Sequence, residues 1–146
     1  MKGINPLVSH TMTIIFSVLL IVVVITAMNS ITEENKKFVA ENEMSVVCNT
    51  LKTAIEELNL ENNYVSASNY TSTSTVDLPK KIGGFNYRTS FSSNTLKIET
   101  ISSPTVNQTC KIGFSLNYTG STNGGKTRLD LTNKDDGSKD LAVSKT

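Results

Sequence analysis

Few residues of this chain have the type and spacing that catalysis requires. The single histidine, His10, lies in an apolar segment, so no imidazole is available elsewhere to activate a serine or cysteine nucleophile. Asp135 and Asp136 come closest to a paired acid–base site, but they stand among Lys, Gly and Ser, as solvated charges do. We therefore expect no catalytic residues and no enzymatic activity. His10 is either functional or merely tolerated near a membrane-helix end, and we favour the second interpretation.

The residues that could bind a metal, a cofactor or a nucleic acid are equally few. Cys48 and Cys110 lack the CxxC spacing and the histidines of a zinc or thioredoxin-like site. Gly83–Gly84 and Gly124–Gly125 lack the flanking signature of a phosphate-binding loop and are typical of turns. With 14 basic and 13 acidic side chains, the chain carries no basic stripe interleaved with aromatic residues. We predict no metal, no cofactor and no nucleic-acid partner.

An apolar segment occupies the N-terminal part of the chain. Between Leu7 and Met28 there is no Asp, Glu, Lys or Arg, and the segment exceeds the roughly 20 residues that a helix needs to cross a bilayer. Within lipid, a lone segment can satisfy its backbone N–H groups only as a helix, which outweighs the modest helix propensity of Val and Ile. A membrane-spanning helix is therefore predicted, starting at Pro6 with Asn5 as its cap.

The flanking residues indicate how the apolar segment is oriented in the membrane and whether it is retained after export. Lys2 precedes it, so the positive-inside tendency places the start in the cytoplasm and everything after Met28 outside. A removable secretory signal peptide is the alternative, and it needs a short apolar centre with small residues at the cleavage point. The long apolar run and the exit sequence 25–29 favour a retained segment.

The helical pattern continues beyond the apolar segment. Apolar residues recur at steps of three or four, or their multiples, with Glu and Lys on the other faces; they are Ile31, Phe38, Val47, Leu51, Ala54 or Ile55, and Leu58. We predict one helix over residues 4–60, roughly 80 Å long at 1.5 Å per residue. Residues 7–28 would span the membrane, and residues 29–60 would form an amphipathic stalk that packs elsewhere.

After Leu60 the residue usage becomes that of a strand-rich domain. Asn62–Asn63 predicts the end of the helix, and short β-prone runs then alternate with turn residues. The predicted strands are 64–68, 85–90, 95–101, 111–118 and 127–131. The fold class is thus α+β, in which residues 61–146 form a small antiparallel sheet or sandwich on the helix stripe. Residues 133–146 are predicted to be a mobile tail or a weakly attached edge strand.

Covalent modifications are predicted in this outer domain. Cys48 and Cys110 would be adjacent in such a fold, and a disulfide is expected outside the cell, with two buried free thiols as the alternative. Three Asn-x-Thr sequons are candidate N-glycosylation sites, although a stretch so rich in Asn and Thr also produces them by chance; they are Asn69, Asn107 and Asn117.

Two stretches resemble archaeal type IV pilins and pilin-like surface proteins. The opening, residues 2–8, runs straight into the apolar helix, and residues 78–87 (LPKKIGGFNY) resemble a strand-turn segment frequent in the heads of such proteins. The resemblance implies a leader of residues 1–3, removed between Gly3 and Ile4. Val8 would be the fifth residue of that mature chain, where bacterial pilins carry glutamate, so the resemblance is to archaeal members.

For function, the resemblance implies a subunit that waits in the membrane and is drawn by an assembly machinery into a helical homopolymer on the cell surface. Outside lipid the apolar helix needs apolar neighbours, since burying each large side chain contributes about 1.5–3 kcal/mol. The head would form an outer surface for adhesion to cells or solid surfaces. The expected filament-core residues are Ile14, Ile15, Phe16, Val18, Leu19, Leu20, Val22, Val23, Ile25 and Met28.

Two other functions would use the same apolar segment. A minor or accessory pilin-like protein would keep the helix as a single-pass anchor while its head binds a cell-surface partner. A plain signal-anchored surface-binding domain would never polymerise. In either case the residues expected in the filament core would face lipid permanently.

Overall fold

The fold is α+β, with one long N-terminal helix followed by strands in two sheets. The structure is a computed structural model that describes residues 6–65, 70–102 and 105–146, with side chains from residue 8 onward. The chain divides into two compact units, residues 1–36 and 37–146. The strands belong to the second unit.

Helix α1 runs from Pro6 to Tyr64. The start agrees with the prediction that Pro6 takes the first helical position, where a missing N–H costs nothing. The predicted cap, Asn5, lies outside the described residues. From Val8 to Lys36 every side chain is exposed, so the first unit has no core of its own among the described residues.

The strands in chain order are β1 (Thr71–Leu78), β2 (Tyr87–Ser92), β3 (Thr95–Thr100), β4 (Asn107–Lys111), β5 (Asn117–Gly120), β6 (Gly125–Asn133) and β7 (Lys139–Lys145). One sheet has the order β1-β6-β7-β5 and is mixed, because β5 and β7 are parallel while the other neighbours are antiparallel. The other sheet, β2-β3-β4, is antiparallel throughout. Two small sheets thus form the head, one of them mixed.

One face of the helix from residue 40 onward belongs to the same hydrophobic core as the sheets. The predicted stripe is confirmed from Val47 to Leu58, but it is wrong for Ile31 and Phe38, which are 58% and 66% exposed. Their positions precede Ala40, the first buried helix residue. The buried helix face consists of Ala40, Met44, Val47, Cys48, Leu51, Ala54, Ile55 and Leu58, and the sheets add Leu96, Ile98, Leu129, Leu131, Leu141 and Val143 among others.

The helix ends at Tyr64 rather than at residue 60, and the two asparagines do not break it. Asn62 is buried, and its side-chain amide donates to the carbonyl oxygen of Leu131 at 2.9 Å. The ammonium of Lys139 donates to the side-chain oxygens of Asn59 and Asn63. A cation near a helix C-terminus is favourable, so contacts from the head extend the helix past its weak sequence signal.

The predicted strands are confirmed at 85–90, 95–101 and 127–131, within two residues at most ends, as β2, β3 and the middle of β6. The single strand predicted at 111–118 is wrong, because residues 112–116, with a bend at 113–114, separate β4 from β5. The strand predicted at 64–68 is wrong at Tyr64, which is helical, and residues 66–68 lie outside the described residues. Strand β1 was missed because five of its eight residues are Ser or Thr.

The C-terminal segment departs most from its prediction. Residues 139–145 are neither a mobile tail nor an edge, because β7 lies between β6 and β5. Leu141 and Val143 are 1% and 5% exposed. In the sequence, Leu141 and Val143 alternate with polar residues over too few positions to indicate a strand among the charged residues around them. In the structure the strand is internal because other strands pair with it on both sides.

The glycine-rich turns are confirmed. Ile82 pairs with Phe85 across Gly83 and Gly84, which both have positive φ, and the Gly83 N–H donates to the Glu43 carboxylate at 2.6 Å. Gly124 has φ 91°, and a Cβ there would collide with the carbonyl oxygen of Pro79. The left-handed conformation and the close approach both require glycine at this position.

Candidate functional site: an apolar helix surface

The candidate site is the surface of the first unit from residue 8 to residue 28. Three of its hydroxyl side chains bond to carbonyl oxygens of the helix itself. Thr13 donates to the carbonyl oxygen of Ser9 at 2.9 Å, Ser17 donates to that of Thr13 at 2.8 Å, and Thr26 donates to that of Val22 at 3.0 Å. Such i−4 bonds leave fewer hydroxyl groups that need water, so the segment suits an apolar medium.

All ten residues expected in a filament core are exposed, with relative exposures between 51% at Leu20 and 64% at Phe16. They surround the helix rather than following one stripe, and an all-round apolar helix needs an apolar environment on every side. Among the described residues, this is the one helix that is long and apolar enough to cross a membrane. The ten residues are Ile14, Ile15, Phe16, Val18, Leu19, Leu20, Val22, Val23, Ile25 and Met28.

One feature of this surface escaped the sequence prediction. Ser9, Thr13 and Ser17 follow each other at steps of four and therefore lie along one side of the helix. Small residues at this spacing allow two helix backbones to approach closely in an apolar medium. The spacing was visible in the sequence, but a search for apolar periodicity passes over small polar residues.

His10 and the aspartate pair lie in separate units of the chain. His10 is an exposed residue of the apolar helix. Asp136 lies in the turn between β6 and β7 and accepts hydrogen bonds from the Ser138 hydroxyl and N–H at 2.6 and 2.8 Å. These bonds lower the pKa of Asp136 below its usual value. Within the described ranges, no three His, Cys, Asp or Glu side chains come together as metal ligands would.

The predicted disulfide is present. Cys48, on the buried face of the helix, is bonded to Cys110 on β4, with 6.3 Å between their Cα atoms. Cys48 is 5% exposed, and Cys110 packs on the same core. The bond therefore ties the three-stranded sheet to the helix of the second unit.

The predicted modification sites are distributed unevenly. Asn107 and Asn117 are exposed at the starts of β4 and β5. The Asn117 amide donates to Asp140 at 3.1 Å, and hydrogen bonds from Lys134 and Asn117 lower the pKa of Asp140. Asn69 and the predicted cleavage position at Gly3 and Ile4 lie outside the described residues.

Taken with the fold, these features define the class of protein: an α+β head whose chain begins with a helix that can span a membrane. The chain belongs to a family of unknown function, DUF7266, whose model matches residues 1–143. That match covers both the apolar helix and nearly all of the head. No curated protein and no solved structure matches the chain.

Proposed function

We propose that this protein is the structural subunit of an extracellular filament of the archaeal type IV pilus kind, and that it polymerises through its N-terminal helix. The observation that carries the proposal is the predominantly apolar, uncharged surface of residues 14–28, exposed on all sides of the helix. Before assembly this surface contacts lipid. In the filament it contacts the same surface of other copies.

The energetics favour exchange of one apolar environment for another. Each large side chain in this segment gains about 1.5–3 kcal/mol when it is removed from water, whether lipid or protein covers it. The helix therefore cannot stay in water, but it can leave the bilayer if copies of itself replace the lipid. The side of the helix that carries Ser9, Thr13 and Ser17 supports close packing of neighbouring helices.

The head supplies the filament surface in this proposal. Its outward strand positions are mostly polar, as Thr71, Thr73 and Thr75 on β1 illustrate. Such a surface is suited to water, to a glycan at Asn117, and to adhesion targets on cells or solid materials. The proposed partners are other copies, the membrane before assembly, the assembly machinery and an adhesion target, and the role is structural rather than enzymatic.

A second candidate function follows from the same helix. A span this apolar is equally suited to permanent residence in lipid, which would make the chain a single-pass anchor for a head that binds a cell-surface partner. Two forms of this candidate are an accessory pilin-like protein and a signal-anchored domain that never polymerises.

Filaments sheared from cells distinguish these functions. We expect electron microscopy to show filaments whose main protein band is this chain, and mass spectrometry of that band to find an N-terminus at Ile4. An intact start at Met1 would reject the cleavage. Recovery of the chain only as a monomer in the membrane fraction would reject the filament and favour the anchor.

A further inference from the structure

Each sheet of the head has an edge strand whose outer side no described strand covers. Strand β1 is the outer strand of the four-stranded sheet, and β4 is an outer strand of the three-stranded sheet. The remaining edges are less available, because β5 has only four residues and the Thr89 N–H of β2 already donates to the Thr122 carbonyl oxygen at 2.9 Å.

The core is open at the β1 edge. Ser74 and Val76 point to the inner side of β1 yet are only half-buried, whereas Leu129 and Leu131 on the adjacent strand are fully buried. A groove of about 630 Å³ runs between β1 and the helix, and its lining includes these two residues. The ionisable groups that line the groove are Glu57 and Asp77, which are both acidic.

The β4 edge is open in the same way and carries the opposite charge. Gln108 and Cys110 are half-buried on β4, although their partners on β3, Ile98 and Leu96, are fully buried. The outward residues of β4 end with Lys111, which is exposed and has no ion pair in the part of the chain that the structure describes. A basic open edge and an acidic open edge therefore occur in one molecule.

We propose that β4 of one copy adds to β1 of the next copy as a parallel strand along the groove. This inference rests on the proposed filament function and identifies a contact between heads. In parallel register, Lys111 of one copy lies opposite Asp77 of the next, and Thr109 lies opposite Thr75. Main-chain hydrogen bonds supply the attraction, and the charged pair sets the register.

The geometry of this contact suits a filament. Because β1 and β4 are different surfaces, the contact is heterologous, and a heterologous contact that does not close produces an open helical array. Strand β1 contains neither Lys nor Pro, which protect many edge strands from such pairing. A parallel neighbour already occurs in this sheet, between β5 and β7.

A cysteine pair tests the contact directly. The full chain carrying both Thr75→Cys and Thr109→Cys, with the native disulfide retained, is assembled in cells and the filaments are treated with a mild oxidant. We expect a ladder of covalent multimers on a non-reducing gel. Thr75→Cys alone is expected to stop at dimers. Thr75→Cys combined with Ser121→Cys, at an exposed position just after β5, is expected to do the same.

A charge reversal provides the second test at exposed positions. Asp77→Lys and Lys111→Asp are each expected to lower filament yield about tenfold, because like charges then meet across the contact. The double variant is expected to restore the yield. Filaments that contain the chain but show neither ladder nor rescue overturn the strand pairing and leave the filament function in place. Absence of the chain from filaments overturns both.

Discussion

The two units of this chain use the same residue types in opposite ways. In the first unit Val18 and Leu19 are 55% and 58% exposed, whereas in the second Leu131 and Ile55 are fully buried. The head buries its apolar residues within one chain, whereas the N-terminal helix exposes its apolar residues on all sides. A core of its own is therefore a property of the second unit, and a helix apolar enough to span a membrane is a property of the first.

Polar groups show the same contrast. Hydroxyl groups in the apolar helix bond to carbonyl oxygens of their own helix, as Thr13 does to Ser9. In the head, Asn62 bonds to Leu131, 69 residues away in the sequence. Local hydrogen bonds keep the first unit independent of any fold, while long-range bonds make the second depend on its tertiary structure.

The largest expected effect is the loss of filament assembly when the apolar helix of the first unit is changed. A lysine at Val18 costs about 2.5–3.5 kcal/mol at the centre of a bilayer, and in a helix bundle it places a buried charge without a partner. We expect Val18→Lys to abolish filament assembly, so that electron microscopy shows no filaments. Val46→Lys, at a valine that is 64% exposed on the helix of the second unit, is the control and is expected to keep the chain in the membrane. Normal filaments from Val18→Lys would contradict the proposed assembly surface.

The disulfide affects only the second unit. Because 62 residues separate Cys48 from Cys110, the chain-entropy treatment gives about 4 kcal/mol of stabilisation. We expect the double variant Cys48→Ala/Cys110→Ala to lose roughly this much in the free energy of unfolding of the head, measured by denaturant titration in detergent. Membrane insertion is expected to be unchanged. A head as stable as the original would show that the bond contributes nothing to folding.

A smaller loss of folding stability is expected from a substitution near the C-terminal end of helix α1. Asn62→Ala removes the donor of a buried hydrogen bond to the Leu131 carbonyl oxygen, and a bond of this kind contributes about 0.5–1.5 kcal/mol. Thermal unfolding followed by circular dichroism measures the change. Asn42→Ala, at an exposed position on the same helix, is the matched control and is expected to have little effect. Equal losses in the two variants would mean that helix propensity, not the tertiary bond, sets the stability.

The smallest effect is a pH dependence of the head. Burial raises the pKa of Tyr87 to about 12, so the unfolded chain, with a pKa near 10, loses this proton first as pH rises. The contribution of Tyr87 to stability is full below about pH 10 and is lost between about 10 and 12. We expect Tyr87→Phe to flatten that decline in alkaline denaturation, and Tyr64→Phe, at an 88% exposed residue, to leave it unchanged. The same decline in both variants would mean that other groups cause it.

The sequence predicted the helix, its apolar part, the α+β class and the cysteine pair. Each of these depends on a pattern among residues that are close in the sequence or on the chemistry of a residue type. It failed at β1, whose run of Ser and Thr carries little apolar signal. The open edges of β1 and β4 could not be predicted either, since an edge exists only once the order of strands is known.

What the sequence determined by itself is a helix whose surface water cannot solvate, since the absence of charge between residues 7 and 28 needs no tertiary partner to take effect. What only the tertiary structure decided is where that helix ends and where β7 lies. Asn62 stays helical because Leu131 accepts its hydrogen bond, and residues 139–145 become an internal strand because two other strands pair with them. Partners so distant in sequence outweigh local propensity once burial makes each unpaired polar group costly.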